Sequence, residues 1–377
     1  MINRDRLSNE FMRQASIDSP SYKEAAMAVY LARRFEELGA TVEFDRAGAA
    51  IGSDSNNLVA RLPGTRAGDP FILCVHMDTV SPAVNVQPVL KDGVFTSAGK
   101  TVLGADDKAG IAELIETIEV LKEQNIPYPP LEIAITICEE QGLLGAKHLD
   151  FTRFKGKQGV ALDTTGIDRI IHRSPAANRF TIDIFGLEAH AGVCPEQGLS
   201  AIAIASRAIA RMPLGRIDAE TTANIGTING GVATNIIPGK VSLRGEVRSH
   251  NQEVLRQTTE TIIRCAEEEV QKASIDRDGE KKRAGMAFDI REDFPAMQIA
   301  EDAPIVQLVV AAGEALNRPQ QICAAGGGSD ASIFNGAGID MVILGTGMDK
   351  VHSLEEQVTL KDMEQVSALL VEILRRA

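Results

Sequence analysis

The chain has 377 residues and a formal net charge of −13, from 52 acidic and 39 basic residues. That length suits two domains with a large core. The charge argues against nucleic acid or an anionic membrane as the main partner. With 44% hydrophobic and 24% charged residues, the composition is that of a soluble globular protein.

No apolar run approaches the ~20 residues of a membrane span, and the opening MINRDRLSNE has no apolar signal core behind it. The five cysteines (Cys74, Cys138, Cys194, Cys265 and Cys323) are odd in number and widely spread. A disulfide framework and a Cys-type zinc site are therefore not expected, and the expected location is the cytoplasm.

Ser21 is expected to cap a helix running to about Leu38, where Val29, Leu31, Ala32, Phe35 and Leu38 recur at helical spacing and Gly39 stops it. Strand-like pieces follow at Thr41–Phe44 and Leu58–Leu62. Phe71–Val75 is a continuous apolar run, the pattern of a strand buried on both faces. It ends in His76-Met77-Asp78. A hairpin with Asp92-Gly93 as its turn comes next. The stretch Leu103–Gly110, LGADDKAG, then opens a helix through Ile111, Leu114, Ile115, Ile118 and Leu121. Taken alone, Asp106 and Asp107 at a helix N-terminus read as a plain N-cap.

Leu131–Cys138 is a second buried run, ending in Glu139-Glu140. Gly159–Leu162 is a third, ending in Asp163. Strands alternating with helices imply a parallel α/β sheet. From near Arg173 the pattern changes. Strands at Arg179–Phe185, Ala223–Ile228, Lys240–Arg248 and Met286–Ile290 interleave with helices at Ser200–Met212 and Gln252–Ala273. That order, β-α-β-β-α-β, reads as a ferredoxin-like unit, with Asp276–Arg283 as a charged loop. The α/β pattern returns with a helix at Pro304–Leu316, a Gly-rich turn at Gly326–Asp330, a strand at Met341–Leu344 and then His352. Residues 1–174 and 295–377 are thus expected to form an α/β catalytic domain, interrupted by an inserted domain at 175–294.

His76, Glu139, Glu140 and Asp163 each follow a buried strand, and His352 follows one through a short loop. In an open parallel sheet such ends face one crevice. A lone histidine at a strand end is usually structural, and an adjacent Glu pair is usually solvated surface. Those readings weaken when all the residues fall at one end of one sheet. One imidazole per ion with shared carboxylates is a ligand set for paired zinc or a similar divalent ion. His76 and Asp78, two apart on an extended segment, point the same way. Asp78 is therefore expected to take a hydrogen bond from the imidazole. By the same alternation, Glu139 and Glu140 are expected on opposite sides. His148, His172 and His250 are read as surface or packing residues.

HMD, LGADDKAG, EEQG, the Asp after GVAL and the late VHS together resemble the di-zinc exopeptidase and deacylase superfamily. The wording GADDKAGIAE and HMDT is most similar to its peptidase T (tripeptide aminopeptidase) group. The resemblance implies a zinc-exopeptidase-like α/β/α domain with a ferredoxin-like lid or dimerisation domain, and two divalent ions, zinc first, with Co2+ or Mn2+ as alternatives. It implies that His76 and Asp163 hold one ion, Glu140 and His352 the other, and Asp106 both, across a cis Asp106–Asp107 peptide. Glu139 would be the general base and His190 would steady the oxyanion. Asn235, Arg248, Gly327 and Gly328 would contact substrate. From the residues alone, Arg248 reads equally as a surface arginine, and the glycines as a tight loop needing positive φ. The expected activity is removal of the N-terminal residue of short peptides. The alternative is an N-acyl amino acid deacylase or carboxypeptidase, and a homodimer through the inserted domain is also implied.

Overall fold

The computed structural model describes residues 1–377. It divides into two compact units, Met1–Ser174 with Met297–Ala377, and Pro175–Ala296.

The first unit is built on a nine-stranded mixed sheet. Leu131–Thr136, Phe71–His76, Gln158–Thr164 and Asp340–Gly345 lie side by side and parallel at its centre. Every residue of Phe71–His76 and Leu131–Thr136 is buried, as their unbroken apolar runs require of strands covered on both faces. Leu58–Leu62 joins antiparallel on one side and Arg169–Ser174 on the other. Helices complete α/β/α layers. Arg4–Ala15 and Leu360–Arg376 pack with Ala105–Glu123. Asn3 caps the first by accepting the Arg6 N–H at 3.1 Å. A small sheet of Pro88–Lys91, Val94–Ser97 and Gln357–Thr359 lies beside this core. Its hairpin turns on Asp92 and Gly93, both at positive φ.

The second unit is a five-stranded antiparallel sheet in the order Gly215–Arg216, Thr221–Gly230, Lys240–Ser249, Ala176–Phe185 and Gly285–Phe294. Alternating Phe180, Ile182 and Ile184, with Val241, Leu243 and Val247, form its apolar face. Ala201–Ile209 and Gln252–Lys272 pack there, presenting Ala201, Ile204, Ala205 and Ala208 from one and Leu255, Ile262, Ala266 and Val270 from the other. Ser200 and Asn251 cap these helices through their side-chain oxygens.

Three expectations need correction. Ser21 caps nothing. The helix runs Ala25–Glu37 behind Glu24, and the Ser21 hydroxyl donates to Asp78 instead. Residues 276–283 are not a loop but the end of the first strand, the turn and the second strand of a hairpin, Ser274–Arg277 with Glu280–Arg283. The strand after Leu131 ends at Thr136, and Glu139–Gln141 form a 3-10 turn.

Candidate metal centre

His76 closes its strand and is 2% exposed. Its Nε2 lies 3.1 Å from Asp106 Oδ1 and 3.8 Å from Asp163 Oδ1. His352, in the loop after Asp340–Gly345, places Nε2 3.2 Å from Asp106 Oδ2 and 2.8 Å from Glu140 Oε1. Asp106 thus offers one oxygen to each imidazole. Single ligand atoms of His76, Asp106 and Glu140 all lie within 4.8 Å of one another. Five side chains from five separate segments meet here: His76, Asp106, Glu140, Asp163 and His352. The Asp106–Asp107 peptide is cis.

The donor set fits divalent cations. His76 Nδ1 lies 3.0 Å from the main-chain oxygen of Asp78, which can only accept, so Nδ1 carries a hydrogen and Nε2 is the nitrogen turned to the carboxylates, donating to Asp106 and able to ligate once that proton leaves. Burial opposes charge on His76, yet the hydrogen bonds with Asp106 and Asp78 outweigh it and hold its pKa well above the usual imidazole range. Hydrogen bonds to Asp106 and Glu140 push His352 up to about 10. Burial also works against ionisation of Asp106, but the two imidazoles win and hold it well below the carboxylate range. Burial, and then the charge of Asp106, lifts Asp163 to about 7. Protons on imidazoles and carboxylates thus offset the crowded negative charge, a role that divalent cations fill more completely.

Glu139 is 9% exposed, and burial, then the charge of Asp163, raises its pKa well above the usual value. Asp78 does more than face His76. Its carboxylate is 3.5 Å from Nδ1 and makes three shorter bonds: Oδ2 accepts the Ser21 hydroxyl at 2.7 Å and the Glu140 N–H at 3.3 Å, and Oδ1 accepts the Glu139 N–H at 2.9 Å. The expected alternation of Glu139 and Glu140 therefore gives way to a turn in which Asp78 grips both backbones.

In the second unit, His190 and Asn235 lie on paired backbones. The Ala191 N–H donates to the Asn235 carbonyl at 2.9 Å, and both side chains are on exposed residues. The Gly192 N–H donates to His190 Nδ1 at 3.2 Å, which leaves the hydrogen of the neutral imidazole on Nε2. Arg248 lies apart from these two, with Nε 2.9 Å from Glu246 Oε1 and its guanidinium over the Phe294 ring. In the first unit, Gly327 and Gly328 line a cavity of about 320 Å3 together with Asp163 and Arg169. None of Gly326–Gly328 has positive φ, so the loop is glycine-rich for another reason than left-handed backbone.

Residues 57–169 match peptidase family M28, and residues 175–274 match the peptidase dimerisation domain. Aminopeptidase PepT from Bacillus cereus ATCC 10987 is 39% identical, over 100% of this chain and 99% of its own, with a TM-score of 0.90. A tripeptidase from Staphylococcus aureus subsp. aureus Mu50 is 36% identical, over 100% of this chain and 98% of its own, with a TM-score of 0.94. The chain belongs to the peptidase T family. It is a metallopeptidase. Peptidase T of Escherichia fergusonii is a further relative, 28% identical over 82% of this chain and 74% of its own.

Two residues of this peptidase T-like site, Glu356 and Lys108, have roles that neither motif nor spacing assigns. Glu356, 2% exposed, accepts three backbone N–H groups of the LGAD turn, from Leu103, Gly104 and Asp106. Lys108, 1% exposed, donates to the Ile17 carbonyl at 2.7 Å, and burial pulls its pKa down to about 8. A Cβ on Gly110 would stand 2.3 Å from Asp107 Oδ1 and 2.9 Å from Leu162 Cβ. Glycine there lets the helix approach the strand that carries Asp163.

Proposed function

We propose that the chain is an aminopeptidase that releases the N-terminal residue of tripeptides, using two divalent ions, zinc first, with Co2+ or Mn2+ as alternatives. The observation that carries the metal reading is Asp106 with one carboxylate oxygen toward each of two imidazoles. The tripeptide reading is supported by the likeness to a tripeptidase over the full chain.

His76 and Asp163 would hold one ion, His352 and Glu140 the other, and Asp106 both. When bound, such a pair supplies Lewis acidity and makes a water nucleophilic near neutral pH. Glu139 takes a proton from the attacking water and returns it to the leaving amine. A carboxyl whose pKa burial has raised is suited to both halves of that transfer. His190 donates from Nε2 to the carbonyl oxygen as negative charge develops there. Asn235, Gly327 and Gly328 hold the peptide backbone. Arg248 takes a substrate carboxylate by exchanging it for Glu246. Residues 175–274 join two chains in a homodimer, and the enzyme works in the cytoplasm.

The test is a panel of tripeptides with and without an N-terminal acetyl group, assayed with one metal-loaded preparation. Free tripeptides are cleaved after the first residue and acetylated ones far more slowly. Equal turnover of acetylated peptides would replace this reading with the deacylase or carboxypeptidase one. Sedimentation at micromolar concentration reads the dimer.

A further inference from the structure

Glu24 is a fully buried carboxylate outside the ligand set, and one of its two oxygens is committed to the residue before Glu139. Oε1 accepts the Cys138 backbone N–H at 3.1 Å, the Cys138 thiol at 3.0 Å and the Tyr22 N–H at 2.9 Å. Oε2 accepts the Ser53 hydroxyl at 2.6 Å. The Tyr22 N–H is shared with Cys138 Sγ at 3.2 Å.

Cys138 is the residue immediately before Glu139, and its φ of 49° is left-handed without being glycine. A side chain in that region is disfavoured unless its surroundings hold it there. Glu24 supplies that hold on both the backbone and the thiol of Cys138. Asp78 receives the next two N–H groups, from Glu139 and Glu140. Three consecutive backbone donors are thus taken by two buried carboxylates, and the direction in which Glu139 leaves the strand is set by both. Asp78 also faces His76, so removing it would disturb a ligand. Glu24 touches neither imidazole nor any ligand side chain, and reaches the site through Cys138.

We propose that Glu24 is a positioning residue for Glu139, acting through the left-handed backbone of Cys138. This rests on the reading of Glu139 as the general base. Misplacing a reacting group by ~1 Å can cost ~10²-fold in rate, so the effect belongs in kcat, with KM and metal content little changed.

The test compares Glu24→Ala, Glu24→Asp and Glu24→Gln in the full-length, metal-loaded enzyme on a free tripeptide. Glutamine keeps an acceptor for the Cys138 and Tyr22 donors, and the Ser53 hydroxyl can rotate to accept from its amide. Its kcat should fall less than about threefold. Aspartate keeps the charge but is one methylene short, and its kcat should fall ~10- to 100-fold, as for alanine. In a Glu139→Ala background the alanine change at 24 should cost nothing further. Full activity of Glu24→Asp beside an inactive Glu24→Gln would overturn the proposal, because charge rather than reach would then matter. So would an equal loss in the Glu139→Ala background, or a loss that tracks missing metal. Amide hydrogen exchange on the same variants needs no substrate. Residues 138–140 should exchange at least ~10-fold faster in Glu24→Asp than in wild type while the central strands are unchanged. Unchanged protection there would overturn the proposal. If wild type cleaves no peptide, the function reading fails while exchange still decides the role of Glu24.

Discussion

Glu356 Oε1 accepts the backbone N–H of Asp106 at 3.0 Å, and Oε2 accepts those of Leu103 and Gly104 at 2.7 and 2.8 Å. The residue that presents oxygens to both imidazoles is therefore fixed by a carboxylate from the loop that carries His352. Two ends of the site, some 250 residues apart in sequence, are fastened by one side chain.

This gives a first prediction. Glu356→Ala leaves three buried N–H groups without a partner, each worth ~1–3 kcal/mol when orphaned, with entering water recovering part of that. The metal-free protein should lose about 2–4 kcal/mol in urea unfolding, and the loaded protein should release metal to a chelator faster than wild type. An unchanged midpoint and unchanged release would show that the LGAD turn holds its shape without Glu356.

Loading with metal should expel protons. Without a cation, His352 stays protonated at pH 7 because Asp106 and Glu140 push it up to about 10, and His76 is held well above its usual range. A ligating imidazole must be neutral. Each imidazole therefore gives up a proton on binding, and affinity falls as pH falls, by up to ~10-fold per unit for each proton released. Titration calorimetry at pH 7 in two buffers of different ionisation enthalpy reads the release directly. Equal heats in both buffers would contradict it.

Glu139 and Glu140 should separate cleanly. Glu140 faces His352 at 2.8 Å, whereas the Glu139 carboxyl is raised in pKa by burial and by the charge of Asp163. Glu139→Ala should keep both ions and lose a factor of ~10²–10⁴ in kcat. Glu140→Ala should lose one ion. Metal stoichiometry and kcat on the two variants side by side decide this, and the reverse pattern would exchange the two roles.

The contrast between these residues shows where a sequence speaks and where it is silent. His76 and Asp163 were legible because unbroken apolar runs mark strands buried on both faces, and the ends of such strands share one crevice. Asp106 by position alone read as a plain N-cap, and only the wording LGADDKAG, through the family resemblance, pointed to it as a ligand. Glu24 and Glu356 were not legible, because their partners are backbone N–H groups 114 and 250 residues away, and a backbone donor leaves no mark in a sequence. The alternation argument for Glu139 and Glu140 failed at Cys138, where left-handed backbone replaces the strand. The charged segment Glu280–Arg283 read as loop because its strand belongs to a two-stranded hairpin with no apolar face to show.

His190 offers a prediction confined to rate. Gly192 holds its Nδ1 as an acceptor, so Nε2–H is free to donate. His190→Ala should leave metal content and unfolding unchanged and cut kcat by ~10²–10³, the usual cost of one oxyanion donor. Unchanged kcat would remove His190 from the reaction.

Glu113 carries the last prediction, on stability against pH. It is fully buried on the helix Ala105–Glu123, and neither carboxylate oxygen has a hydrogen-bond partner. Burial, and then the charges of Asp107 and Asp362, raise its pKa well above the ordinary 4.5. The folded protein therefore keeps a proton that the unfolded chain gives up above about pH 4.5. Since the folded state binds more protons, stability falls as pH rises from 4.5 toward the folded pKa, by up to ~1.4 kcal/mol per unit. Below 4.5 both states hold the proton and the penalty is absent. Glu113→Gln removes the titration and keeps the shape. Any packing cost of the amide is the same at every pH and cancels when pH values are compared. Metal-free wild type and Glu113→Gln, unfolded in urea at pH 4.5, 6 and 8, should therefore diverge, with the variant gaining on wild type at each step. A gap that stays constant across the three pH values would mean that Glu113 titrates in the folded protein as it does in the unfolded chain.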